Sequence, residues 1–227
     1  MKKILTTIAA SLMAVSAYAN DIYVTQSGDA LDLDITQDGQ NNTVGASGTA
    51  SASTGSTTIL DIDQVGGSNV LTYQVNGATF TGTFNVTGDS NDIDFNCDST
   101  NGNSSCGTVT ASITMVGDSN DIDLDIGETS DASNSTATIT SAGSDDSNVI
   151  AATIDGTSAI LTITVDGSTN NWLVDIDGNG DVNGHTLIHS HTGGIADVDI
   201  VQSGVYDNYI SLTTSGDNAD IDISQTD

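Results

Sequence analysis

Asp175-Ile-Asp177-Gly-Asn179-Gly-Asp181 sets oxygen-bearing side chains on alternate residues, with glycines between the last three. That is the spacing by which a calcium loop offers carboxylate and amide oxygens to a hard cation. The twelfth position of such a loop is Thr186 rather than Glu, so the bidentate carboxylate that usually completes it is missing. Ca2+ at Asp175, Asp177, Asn179 and Asp181 is the one cofactor the chain suggests, and the rest of the pattern requires none. His185, His189 and His191 follow in the longest insertion. No partner ligand is fixed by spacing, so they read as a surface loop rather than a metal centre. Cys97 and Cys106 are the only cysteines, and an even pair flanking a polar stretch in an exported chain reads as a loop-closing disulfide. No Ser/His/Asp set and no carboxylate pair emerges at a cleft-like position; no catalytic residues are assigned and no enzyme is expected.

A different constellation recurs along nearly the whole chain. It reads Gln37-Asp-Gly39-Gln-Asn-Asn42, Gln64-Val-Gly66-Gly-Ser-Asn69, Gly88-Asp-Ser-Asn91, Gly117-Asp-Ser-Asn120 and Gly167-Ser-Thr-Asn170, with looser copies at Gly143 to Asn148 and Gly204 to Asn208. With Gly28 and Gly216 included, these glycines are spaced 11, 27, 22, 29, 26, 24, 37 and 12 residues apart, a range that fits one supersecondary unit per period. Glycine and asparagine at such positions belong to tight turns, where a positive φ or an Asx cap is needed.

The segments on either side of each turn alternate. Leu60, Ile62 and Gln64 share one parity before Gly66, and Asn69, Leu71, Tyr73 and Val75 restore an apolar face after it. Ile113 and Met115 before Gly117, and Ile122 and Leu124 after it, repeat the layout. Period two predicts strands, so each repeat is strand, turn, strand, loop. One such unit cannot bury its apolar face alone. Stacking successive units, each strand pairing with its counterpart one coil further on, buries all the faces together. The expectation is an all-β, flat β-solenoid of about seven strand-turn-strand coils over residues 20–227. A seven-strand sandwich is the competing fold, but it would not require one repeated turn sequence. The chain contains no proline, as a stack in which every residue donates to a neighbour demands.

Residues 1–19 are set apart. Lys2 and Lys3, an apolar run from Ile4 to Val15 and Ala17-Tyr-Ala19 have the layout of a secretory signal peptide, with cleavage before Asn20. Those two lysines are the only basic side chains, against 31 Asp and Glu. Without cations the mature chain repels nucleic acid and anionic membrane surfaces rather than binding them. Salt bridges with Lys or Arg are equally excluded.

Gln-x-Gly-x-x-Asn followed by alternating apolar positions, in an exported chain rich in Gly, Ser and Asn, resembles the curlin repeat of curli-type bacterial amyloid subunits. Gln26 to Gly28, Gln37 to Asn42, Gln64 to Asn69 and Gln202 to Gly204 match best, and the layout extends over roughly residues 21 to 227. The resemblance implies a homopolymeric, cell-surface adhesive fibre of the biofilm matrix, exported and nucleated by outer-membrane machinery. The sequence departs from the pattern where Val86, Met115, Ser141 and Val165 replace the Gln, which interrupts any continuous glutamine ladder.

Three further patterns bear on function. Unpaired edges at both ends of a solenoid favour addition of another copy and hence a filament. Asp32/Asp34 and Asp61/Asp63, like Asp92/Asp94 and Asp121/Asp123, are expected to stack as like charges that either remain solvated or recruit divalent cations. Thr81/Thr83, Thr110/Ser112/Thr114, Thr136/Thr138/Thr140 and Thr162/Thr164 are expected to form an outward hydroxyl-and-methyl array. The alternative functions are accordingly a calcium-dependent adhesin module and an ice-binding solenoid, although Thr is also simply a good exposed strand residue.

Overall fold

The computed structural model describes residues 20–39, 41–45, 50–97, 106–127, 134–143, 147–177, 184–204 and 208–226. The proposed leader at 1–19 lies outside them. Within them every regular element is a strand, and no helix is long and apolar enough to cross a membrane. The strands are β1 (Asn20–Ile22), β2 (Thr25–Ser27), β3 (Ala30–Asp38), β4 (Asn41–Val44), β5 (Ser51–Val65), β6 (Ser68–Thr87), β7 (Ser90–Cys97) and β8 (Thr108–Val116). They continue as β9 (Ser119–Ile126), β10 (Asn134–Ala142), β11 (Ser147–Asp155), β12 (Ala159–Asp177), β13 (Thr186–Ser203), β14 (Tyr209–Ser215) and β15 (Ala219–Thr226).

All the strand pairs are parallel, and each joins one coil to the next. Parallel pairing follows because every coil runs the same way round, and the repeat returns each strand to the same place one turn later. The rungs form two facing rows. One row comprises β3, residues 57–65, residues 79–87, β8, β10, residues 159–166, residues 186–192 and β14. The other comprises β1 with β2, β4 with residues 51–54, residues 68–76, β7, β9, β11, residues 169–177, residues 195–203 and β15. The result is the flat β-solenoid of about seven turns that the periodicity predicts.

The core is the slot between the rows. Alternation places Leu60, Ile62, Leu71 and Tyr73 in it with no more than 1% exposure, and each fully buried side chain of this kind contributes about 1.5 to 3 kcal/mol. Where the slot must hold three phenyl rings, the sequence makes room. Phe80, Phe84 and Phe95 pack with ring centroids 4.7 Å (Phe80 to Phe95) and 5.6 Å (Phe84 to Phe95) apart, and a β-carbon on the intervening Gly82 would lie 2.4 Å from the Phe80 ring. Because residues 20–227 contain no Lys or Arg, this packing and the backbone ladder carry the stability.

Candidate functional site

The turn from first row to second row is where the repeat signature converges. Asn42, Asn69, Asn91, Asn120, Asn148 and Asn170 occupy one register column, all buried to within 2% exposure. Asn69 Nδ2 donates to Asn91 Oδ1 at 2.8 Å and Asn91 Nδ2 to Asn120 Oδ1 at 2.7 Å. Asn120 Nδ2 continues to Asn148 Oδ1 at 2.8 Å, and Asn148 Nδ2 to Asn170 Oδ1 at 2.7 Å. The bonds all point toward the later coils, so the ladder is polar, and successive amides in a low-dielectric slot strengthen one another. The same amides satisfy the turn: Asn91 Nδ2 reaches Gly88 O and Asn120 Nδ2 reaches Gly117 O, both at 3.3 Å. At the end of the run Asn170 Nδ2 meets His191 Nε2 at 2.9 Å. The next position in the column is Ala196, so the imidazole terminates the ladder, accepting through a neutral Nε2.

The turn glycines are required by proximity more than by handedness. A β-carbon on Gly66 would sit 2.4 Å from Gly39 O, and one on Gly117 only 1.6 Å from Gly88 O. Among the described turn glycines of this column only Gly117 and Gly193 have a positive φ, so positive φ accounts for two copies of the motif and not for the rest. The general reason is that each turn is seated on the carbonyl of the turn before it.

Two turn residues were misplaced by reading the sequence as one series. Gly28 and Gly204 lie in the opposite turn, from second row to first row, where Asn208 Oδ1 accepts from the His185 backbone N–H at 3.1 Å and Asn208 Nδ2 donates to Gly204 O at 3.3 Å. The missing member of the first column is Gly193, whose β-carbon would lie 1.7 Å from Gly167 O. Gly167 to Gly193 spans 26 residues and Gly193 to Gly216 spans 23, so the irregular 37 and 12 disappear. Gly193 was hidden because Ala196 replaces its asparagine.

Glutamine forms short ladders instead of one long one. Gln64 Nε2 donates to Gln37 Oε1 at 2.7 Å, after which Val86 and Met115 take the column. At the other end Gln225 Nε2 donates to Gln202 Oε1 at 3.2 Å.

Outward, the register revises the Asp pairs. Asp34 stacks on Asp61, but Asp32 faces Ile59 and Asp63 faces Thr36. On the second row Asp92 does stack on Asp121 and Asp94 on Asp123, and Asp197 and Asp199 stack on Asp220 and Asp222, a pair of ladders the sequence reading missed. Burial, and secondarily the facing carboxylates, pushes Asp92 and Asp94 above the usual carboxylate range.

The histidines are a correction. His185, His189 and His191 are each 1% exposed rather than in a surface loop, because residues 187, 189 and 191 have the inward parity of β13. His189 occupies the column of Ile163 and packs against Trp172 with centroids 4.5 Å apart. Burial, and next the neighbouring His191, lowers the His189 pKa to about 4; burial also lowers His191 and His185.

Asp175 and Asp177 are exposed at the end of β12, while Asn179 and Asp181 lie outside the described residues. Among the described residues no group of three or more His, Cys, Asp or Glu is arranged to hold a metal ion. Cys97 and Cys106 are joined as a disulfide, Cα atoms 5.8 Å apart, between β7 and β8.

Comparison with known proteins gives no match to a family model, a curated protein or a solved structure. Chemically, the arrangement offers a polar column: from Asn69 to Asn170 each turn amide donates to that of the following coil.

Proposed function

We propose that this chain is a secreted structural subunit that polymerises rung upon rung into extracellular fibres of the curli type, serving adhesion and the biofilm matrix. The observation that carries the reading is the in-register parallel stacking of coil on coil, reinforced from Asn69 to Asn170 by the Asn ladder, in which one coil receives another of the same kind. Support also comes from the two limiting coils: among the described residues β1, β2 and β3 pair only with the following coil, and β14 and β15 only with the preceding one. Unpaired parallel edges of this kind bind another chain of matching period. Export through the outer membrane, nucleation by a partner and the absence of enzymatic activity belong to the same proposal. The test is to incubate purified residues 20–227 and record fibre diffraction. A meridional spacing near 4.8 Å along the fibre axis is the expected result, and a chain that stays monomeric at high concentration rules the reading out.

A second reading is favoured by one observation. Thr83, Ser112, Thr138 and Thr162 form one outward column, and Asn85, Thr114, Thr140 and Thr164 the next, a regular outward array on which the ice-binding reading rests. Thermal hysteresis in solutions of the chain supports it, and its absence removes it.

A further inference from the structure

Among the described residues the second row has one rung more than the first. It starts at β1 with β2 and finishes at β15, whereas the first row starts at β3 and finishes at β14. Suppose two copies stacked with every strand kept. One first-row level between β14 and the next copy's β3 would then be vacant. The two strands would stand two rungs apart, about 9.6 Å, leaving Ile210, Leu212, Leu33 and Ile35 facing a void and their backbone groups unpaired. If one second-row strand gives way instead, β3 of the arriving copy stacks directly on β14 in the existing register. Ile210 then meets Leu33, Leu212 meets Ile35, and Ser211 meets Asp34.

The strands that would compete for the single remaining rung are interchangeable. Asp21 and Asp220 occupy the same register column, as do Ile22 and Ile221, Thr25 and Ser224, and Gln26 and Gln225. Resting on the fibre-subunit reading above, we infer that β15 holds the last second-row rung only provisionally, and that β1 and β2 of a second copy displace it. β15 is the weaker occupant: its inward Ile223 is 48% exposed, whereas Ile22, Val24 and Gln26 are all half-buried. Charge acts in the same direction. β15 sets Asp220 and Asp222 over Asp197 and Asp199, while the incoming strand would set Asp21 and Tyr23 there, one stacked carboxylate pair fewer. Gln26 can also replace Gln225 as the donor to Gln202. The occupant of this open edge is therefore a second copy of the chain, and β15 is a self-cap that the copy removes.

The test uses residues 20–227 carrying D34C and S211C together, both outside the core. Fibres grown under reducing conditions are then oxidised and run on a non-reducing denaturing gel. Direct stacking brings the two Cα atoms to about 5 Å, within disulfide reach, whereas a vacant rung holds them near 9.6 Å, beyond it. The expected result is a ladder of covalent multimers from the double variant and monomer from the parent, whose own cysteines pair internally. Fibres that yield only monomer overturn the displacement while leaving polymerisation standing, and a parent chain that forms no fibres overturns the reading beneath it. A second comparison fixes the direction, because proline cannot donate to a strand ladder. S224P should elongate at least as fast as the parent and T25P several-fold more slowly. The reverse order, or equal slowing, shows that β15 is not the strand displaced.

Discussion

Asn91 Nδ2 donates to Asn120 Oδ1 at 2.7 Å across 29 residues of sequence, and Asn120 Nδ2 in turn serves Ser141 Oγ at 2.9 Å and Asn148 Oδ1 at 2.8 Å. Asn120 thus joins three coils through one amide. Asn120→Ala should cost about 1 to 3 kcal/mol, because it leaves buried partners short of a donor. Asn171→Ala, outward on the same sheet, should fall within about 0.5 kcal/mol of the parent. Denaturation midpoints of the monomer check the pair, and equal losses would remove the ladder from the account of stability.

The seating of one turn on another makes a comparably sharp comparison. Gly117→Ala drives a β-carbon into Gly88 O, 1.6 Å away, and only movement of two coils relieves it; a loss of about 1 to 3 kcal/mol is expected. The neighbouring Asp118 is an exposed turn residue, so Asp118→Ala should be close to neutral. Thermal unfolding and fibre elongation rates of the two variants check this, and similar behaviour would contradict the turn register.

What was legible in the sequence follows from what repeats. Alternation at Leu60, Ile62 and Gln64 and the Gly66 to Asn69 turn announce strand, turn and inward face, because parity and turn chemistry are local. Register is not local. That Asp34 meets Asp61 while Asp32 meets Ile59 depends on counting from the right glycine, and Gly193 was missed because Ala196 carries no amide. The histidines were misread for a related reason: their polarity suggested a loop, but the parity of β13 overrode it, and the slot beside Trp172 has room for aromatic rings where other coils place Ile163 or Ile139. Leu187, between His185 and His189, was the available sign of a strand.

The buried imidazoles give the monomer an acid-sensitive end. His189 is lowered from 6.5 to about 4, so the folded state binds fewer protons than the unfolded one. Its contribution is full above about pH 6.5 and is lost as pH falls from 6.5 toward 4, on the order of 3 kcal/mol in all. Facing it are Trp172 and His191, and Asp166 partly offsets the burial of His191. His189→Leu should flatten stability over that window, measured by denaturant titration at pH 7 and pH 4.5. An unchanged pH dependence would show that His189 is not the group responsible.

The Cys97–Cys106 bond closes a loop between β7 and β8 without joining two rungs. It should contribute about 2 to 3 kcal/mol by restricting the unfolded chain. The double Cys→Ser variant should therefore unfold at lower denaturant yet still form fibres with the same axial spacing. Loss of fibres in a variant whose monomer remains folded would assign the disulfide a part in assembly.

The aspartate ladder has the opposite pH sign from the histidines. Asp92 and Asp94 are raised above 3.8, first by burial and then by facing carboxylates that include Asp123. Stability linked to them is fully present below pH 3.8 and is lost as pH rises through their folded values. At pH 8 the stack over Asp121 and Asp123 is thus a standing repulsion, and Asp92→Asn with Asp94→Asn should stabilise the monomer in low salt. Added salt should shrink the gain, since exposed charges are screened within about 10 Å at 0.1 M. For assembly the two groups oppose each other: acidification relieves carboxylates along the stack while charging imidazoles in the last coils. In low salt, growth should be faster at pH 4 than at pH 8 for the His189→Leu chain, with a smaller advantage for the parent. Elongation that is no faster at pH 4 in the His189→Leu chain would show that stacked aspartates do not oppose growth.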